Sequence, residues 1–278
     1  MTDHEATSGG RGFRFGVVAP ILTDLPAWRD QVRRIAGAGF STLLMPDVQQ
    51  WQPAPAPALA VAATLADLRV GTWVYAAPLR PAWQLAWEAH SLSVVTEGRF
   101  EFGIGTGRPG MEDELRGLGL PAESPGRRLA RVREAVTSLR ELDGADGSGL
   151  RTSVAMAVRG PKARALAAEL ADTVTFASTP EEPRAELMRL AAEFRGRDVE
   201  LALHVPVVGD AVAPFMAGPG IDPAALRAAD SLLVLPGDPA AAVEELQRRR
   251  EEGGFSYVVV GANAVDAFAP VVAKLAGR

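Results

Sequence analysis

The sequence contains no cysteine, which removes disulfides, thiol catalysis and thiolate metal sites together. Its three histidines, His4, His90 and His204, are scattered along the chain, and without thiolates they leave little from which to build a metal site. Metal chemistry is not expected. No apolar run approaches the roughly 20 residues that a helical bilayer span requires, so a membrane protein of that kind is excluded. Residues 1–12, MTDHEATSGGRG, are polar and lack the apolar stretch of a secretion signal. They read as a disordered lead-in, and the protein is expected to stay in the cytoplasm. A basic cluster is also missing, and at a net charge of −5 the chain lacks the Lys and Arg patches that nucleic-acid phosphates demand. Small molecules are the expected partners.

What is present is a long, largely apolar chain. With 278 residues, 47% of them hydrophobic and 23% charged, it can bury a large core, and residues 13–278 are expected to form one domain. Strand-like and helix-like stretches alternate. RFGVVAP (14–20) is a short β-branched run, and 26–39 follows with helical spacing at Trp28, Val32 and Ile35 and a glycine stop. The pattern recurs as TLLMP (42–46) with 57–68, RVGTWVYA (69–76) with 81–95, and RFEFGIG (99–105) with 124–142. DGADGSG (143–149) reads as a loop. Beyond it come TSVAMAV (152–158) with 162–171, TVTFA (173–177) with 181–194, VELALHVPVV (199–208) with 239–254, and SYVVVG (256–261) with 265–277. The strands are continuous apolar runs, the pattern of parallel strands covered by helices. About eight strand–helix pairs predict an α/β fold, a closed (β/α)8 TIM barrel, over an open doubly wound sheet that more often stops at about five to seven strands.

In such a barrel the active site lies at the carboxyl ends of the strands. The segment EGRFEFGIGTGRPGMEDEL (97–115) runs a short strand into glycines at 103, 105 and 107. Their Cβ-free backbone either admits a flat or phosphorylated ligand to main-chain N–H groups or marks a tight turn. Asp47, after strand two, is either a turn acceptor or a polar partner for a ligand. Trp51 stands in a Pro-rich loop and either lays its indole over a planar substrate or packs on the loop prolines. Gly160 and Pro161 open a helix with Lys162 and Arg164 in its first turn. Cations there oppose the helix dipole and so suit a bound anion, unless they are simply solvated. His204 on strand seven is a candidate proton donor at the mouth, whereas His90, amid Leu85, Trp87 and Leu92, reads as a packing histidine. The charge runs QRRREE (247–252) and GRRLARVRE (126–134) read as solvated helix faces.

AGAGFSTLLMPD (36–47), TEGRFEFGIGTG (96–107), RGPKARALAAELADTV (159–174) and PGDPAAAVEELQRRREEGGFSYVVV (236–260) together resemble, in order and spacing, the luciferase-like family of flavin- and deazaflavin-dependent oxidoreductases. The resemblance implies a (β/α)8 barrel that binds FMN or the deazaflavin coenzyme F420 across its strand ends and moves a hydride between that ring and an organic substrate. It also implies a homodimer. It places the cofactor phosphate near Arg159, Gly160, Pro161 and Lys162, and the ring or its polar tail against Thr106, Gly107, Arg108 and Met111. Asp47 and Glu112 become candidate catalytic groups. The family often has a non-prolyl cis peptide closing strand three behind the ring, the stretch held here by Val74, Tyr75 and Ala76.

The departures from the family pattern are specific. Asp47-Val48 stands where many relatives have Asp-His, Arg80-Pro81 where many have His-Pro, and Arg108 and Met111 where an acidic or amide residue is common. The excursion after strand seven is shortened to about thirty residues, 209–238, which implies a more open pocket. Two readings follow. One is an oxidoreductase passing a hydride between F420 or FMN and a small organic substrate, with an FMN-dependent monooxygenase as its variant. The high Ala, Arg and Gly content, common in high-GC genomes where this family often uses the deazaflavin, leans the choice toward F420. The other is a degenerate barrel that binds a flavin-like ligand or a partner without turnover.

Overall fold

The computed structural model describes residues 11–278 apart from 23, 146, 148, 181 and 219. Most of the lead-in assigned to residues 1–12, His4 included, lies outside the described residues. The strands are β1 (Arg14–Val18), β2 (Thr42–Met45), β3 (Arg69–Thr72), β4 (Phe100–Gly105), β5 (Ser153–Val158), β6 (Thr173–Phe176), β7 (Glu200–Val205) and β8 (Phe255–Gly261). Each pairs in parallel with the next, and β8 returns to β1 from Arg14↔Tyr257 to Val18↔Gly261. The ring is closed, and the expected (β/α)8 barrel is the fold.

Around it run α1 (Leu25–Gly37), α2 (Pro55–Leu65), α3 (Ala82–Val95), the short α4 (Met111–Gly117), α5 (Pro125–Ala145), α6 (Pro161–Leu170), α7 (Arg184–Ala192), α8 (Pro223–Ala228), α9 (Pro239–Gly253) and α10 (Val265–Leu275). The first shows how sequence makes helix here. The Asp24 carboxylate accepts from the Ala27 N–H at 2.8 Å, capping the first turn, and Trp28, Val32 and Ile35 recur at helical spacing to be buried. Outward-facing strand residues such as Phe15, Leu43, Phe102, Met156 and Val258 form the main core with the inner helix faces. A second cluster of Val18, Leu44, Trp73, Ala202, Tyr257 and Val259 fills the barrel lumen.

Four stretches differ from the sequence expectation. The run 69–76 is not one strand: the Trp73–Val74 peptide is cis, and pairing resumes at Tyr75–Ala76 against Ile104 and Gly105. The run 199–208 divides at Pro206, which has no N–H to continue the ladder. Beyond it Val207–Val208 joins Ala211–Val212 and Val234–Leu235 in a separate three-stranded sheet. The loop expected at 143–149 begins inside α5. Asp143 there is buried, accepting from the Thr152 N–H at 2.8 Å and its hydroxyl at 3.1 Å, and it lies 2.9 Å from His90 Nδ1. The Asp-Gly pair is a turn signal that tertiary partners override. Finally, the segment 97–115, read as a strand running into glycines, turns helical at Met111, where α4 begins.

The shortened excursion after β7 is held to the barrel by ions. Arg249 on α9, 2% exposed, donates to the Leu232 and Val234 carbonyls at 2.8 and 2.6 Å and to Glu245 at 2.6 Å. Burial alone would raise the Glu245 pKa, but Arg249, Arg184 and Arg248 outweigh it and hold the carboxyl down to about 2.

A second ionic cluster closes the amino-terminal end of the lumen. Arg14 donates to Glu101 at 2.6 Å and to Glu200 at 2.8 Å, Arg69 shares Glu101 at 2.7 Å, and the Arg14 guanidinium lies 3.5 Å over the Tyr257 ring. Burial works against the charge of Arg14, yet Glu101, Tyr257 and Glu200 together raise its pKa well above the ordinary value. The sequence signal for this cluster is a charged residue near the start of four otherwise apolar strands, and it passed unread. Removing one partner of such a set leaves buried charge unpaired. Arg14→Met is therefore expected to lower the unfolding free energy by about 3–5 kcal/mol, read as a shift in urea-denaturation midpoint; a change below about 1 kcal/mol would show the cluster to be dispensable.

Candidate functional site

The glycine-rich end of β4 is built largely for strand packing. A Cβ on Gly103 would overlap the Thr72 carbonyl oxygen, and the Thr72 hydroxyl donates to the Gly103 carbonyl at 2.8 Å. Gly103 therefore serves the close approach of β3, not that of a ligand. Gly107 adopts φ +93° and turns over Met111, whose sulfur would lie 2.9 Å from an added Cβ. Met111 is itself fully buried with Ala76, Leu79 and Leu115, so it supports the mouth from beneath.

Beyond Thr72 the chain sends Trp73 across the lumen to the opposite wall. Its indole N–H donates to His204 Nδ1 at 3.0 Å, and the two rings lie within 12° of parallel. An indole N–H can only donate, so the His204 proton resides on Nε2, where the Met216 carbonyl accepts it at 3.1 Å. Burial lowers the His204 pKa, with the Met216 carbonyl opposing, so the imidazole is neutral near pH 7. Both nitrogens are engaged within the protein. Phe215 and Met216 of the short excursion pack against this cluster.

On the side of β2, Asp47 is buried. It accepts from the Ala76 N–H at 3.1 Å and from two nitrogens of Arg80 at 2.7 and 2.9 Å. The Arg80 guanidinium also lies 4.8 Å from the Tyr75 ring centre. Tyr75 donates its hydroxyl to Glu88, and burial above all, with Glu88 next, raises its pKa well above the usual phenol value. Tyr75 is thus a closed, neutral support. Beside Asp47 and Arg80 opens a cleft of about 270 Å3 walled by Val48, Gln49, Pro53 and Ala54. Trp51, 46% exposed, sits in the turn where its N–H donates to the Val48 carbonyl at 3.1 Å. Glu112 turns to α5, where it pairs with Arg128 at 3.0 Å, and Arg108 pairs with Glu114 at 2.6 Å.

The remaining candidates gather at α6. Gly160 is its N-cap with no side-chain cap, and Pro161 opens its first turn. Arg159 donates to the Ala177 carbonyl at 2.8 Å while remaining largely exposed, Arg164 is engaged by Glu193 at 2.7 Å, and Lys162 is exposed. Uncapped first-turn N–H groups beside two cations suit a phosphate. At the strand ends Val74 and Ala157 flank Gly105, and Thr106 and Ser178 follow β4 and β6 as partly exposed small residues. Small side chains at the strand ends and an uncapped helix start are features that suit a flat ring with a phosphorylated tail. The sequence reading missed Trp73, Arg80 as a partner of Asp47, and Met216. A lone tryptophan inside a strand was the one available signal.

A family model described as luciferase-like monooxygenase matches residues 13–213. Among curated proteins none matches the sequence. Solved structures share the fold at low identity. An F420-dependent secondary alcohol dehydrogenase in complex with an F420–acetone adduct is 17% identical, with 94% of this chain and 98% of that chain covered and a TM-score of 0.70. Coenzyme F420-dependent tetrahydromethanopterin reductase from Methanopyrus kandleri is 16% identical, with 95% and 98% covered and a TM-score of 0.71. The oxygenating constituent of 3,6-diketocamphane monooxygenase from Pseudomonas putida, in complex with FMN, is 13% identical, with 95% and 98% covered and a TM-score of 0.68.

The packing role of Gly103 is open to a direct check. Gly103→Ala should destabilise the protein by more than about 3 kcal/mol, whereas Gly160→Ala, which meets open space, should change stability by less than about 1 kcal/mol. Equal thermal midpoints for the two variants would refute the assignment.

Proposed function

Because the chain belongs to the luciferase-like monooxygenase family, we propose that it is an oxidoreductase transferring a hydride between F420, or alternatively FMN, and a small organic substrate. The observation that carries this reading is the shelf of small residues, Val74, Gly105, Thr106 and Ala157, together with the uncapped start of α6. Arg159, Gly160, Pro161 and Lys162 would hold the coenzyme phosphate through first-turn N–H groups and two cations. Thr106 and Gly107 would border the polar tail, and Tyr75–Ala76, pinned by Asp47 and Glu88, would hold the shelf rigid from behind. When bound, either coenzyme supplies the hydride chemistry; the protein's share is orientation and exclusion of water. With FMN the same arrangement would serve a monooxygenase.

One observation favours a second reading. Asp47 and His204 are both fully engaged within the protein, and Phe215 and Met216 lie against the lumen cluster. A barrel that binds a flavin-like ligand without turnover would look the same. Equilibrium titration with F420 and FMN in parallel separates the possibilities. One coenzyme should bind at micromolar concentration, and the double variant Arg159→Ala/Lys162→Ala should weaken it by about tenfold or more. Binding of neither would sink the redox reading, and tight binding without reduction or oxidation by any organic substrate would favour the second.

We further propose that the chain works as a homodimer through α2 and α3. Trp83, Trp87 and Val95 on α3 are 62%, 60% and 67% exposed, and α2, PAPALAVAATL, carries no charged residue. Helices without a polar outer face are normally covered. Sedimentation equilibrium should give twice the chain mass, and Trp87→Glu should give the monomer; a monomeric parent protein at micromolar concentration would end the proposal.

A further inference from the structure

The cleft beside β2 has a charge arrangement that selects among ligands. Its one cation, Arg80, and its one anion, Asp47, are already paired through two nitrogens and both carboxylate oxygens, at 2.7 and 2.9 Å. Asp47 has further fixed its position by accepting from the Ala76 N–H. The remaining walls are Val48, Pro53, Ala54 and Pro55 with the amides of Gln49 and Gln52. The Gln52 amide is committed within the protein, accepting from the Ile21 N–H at 3.2 Å and donating to the Pro46 carbonyl. The cleft is therefore neutral overall, with about half of its walls apolar, and its donors are the Gln49 amide and Arg80, of whose five N–H groups two are used by Asp47, which leaves the others for a ligand.

This arrangement penalises either kind of ion. An anionic ligand at the free Arg80 N–H groups would either lie against the Asp47 carboxylate and be repelled by it or draw Arg80 away and leave a buried carboxylate unpaired, and a cationic one would meet Arg80 in the same way. An uncharged ligand that accepts a hydrogen bond disturbs neither. Size follows from volume. A cavity of about 150 Å3 holds a benzene ring, so about 270 Å3 suits one ring and a short substituent, roughly ten to fourteen non-hydrogen atoms. The cleft also adjoins the small-residue shelf, because Asp47 binds the N–H of Ala76 and Ala76 pairs with Gly105.

We propose that this cleft holds the organic substrate, that the substrate is an uncharged molecule of about that size bearing an oxygen acceptor, and that the Asp47–Arg80 pair is the specificity determinant, with Arg80 donating to that oxygen. The proposal rests on the oxidoreductase reading for calling the ligand a substrate, but the pocket and its charge preference stand apart from any coenzyme.

The experiment is ligand-observed NMR on the purified chain with three probes of similar shape: acetophenone, benzoate and benzylamine. Acetophenone should bind at least about tenfold more tightly than either ion. Asp47→Asn, checked for a native circular-dichroism spectrum, leaves Arg80 uncompensated and should move the preference toward benzoate by about tenfold or more. Val48→Trp, on a partly exposed loop position, should fill the cleft and abolish acetophenone binding with the ion pair intact. Binding of benzoate by the parent protein as tightly as acetophenone, unchanged binding in Val48→Trp, or no binding of any probe would overturn the proposal. The parallel coenzyme titration keeps the two readings distinct. Coenzyme binding with indifferent probes would reject this pocket alone, and the expected probe pattern without coenzyme binding would reject the redox reading alone.

Discussion

The near-contact of Thr72 with Gly103 is the constraint on which the mouth of this barrel depends. Only a residue without a side chain lets the Thr72 carbonyl come so close to β4. That approach displaces the chain beyond β3 so that Trp73 enters the lumen and Tyr75–Ala76 returns beside Ile104 and Gly105. Trp73 then reaches His204, and Ala76 presents its N–H to Asp47. A larger residue at 103 would push β3 outward and uncouple all three.

Buried charge is handled differently at the two ends of the barrel. At the amino-terminal end, Arg14 and Arg69 face Glu101 and Glu200 in a network with several partners per ion, an arrangement suited to stability and registry. At the carboxyl end one pair, Asp47 with Arg80, borders an open cleft, where the low dielectric makes any competing ion costly. The same physics thus closes one end and filters at the other. Between them the lumen is filled by Tyr257 and Leu44, which leaves ligands only the strand ends.

Much of the fold was legible because its signals are local. Continuous apolar runs, helical spacing such as Trp28–Val32–Ile35, and glycine stops specify elements from neighbouring residues alone. Where a distant partner intervened, the local signal misled. Asp143-Gly144 reads as a turn until His90 and Thr152 capture the carboxylate, and Gly103 of FGIGTG reads equally as ligand backbone or turn until Thr72 is placed against it. The residues named for the site fall at strand ends as barrel topology requires, but in two groups, one at Asp47 and Arg80 and one at the start of α6, while Glu112 turns to Arg128.

The sequence by itself determined the number and order of the strands and their burial on both faces, because each follows from periodicity and composition along a short stretch. Only the tertiary structure decided which of the polar residues at the strand ends remain available. Asp47 meets Arg80 across 33 positions and His204 meets Trp73 across 131. No spacing rule links residues so far apart; the closed ring of strands brings them to hydrogen-bonding distance, and pairing there sets the charge and the tautomer that each can offer.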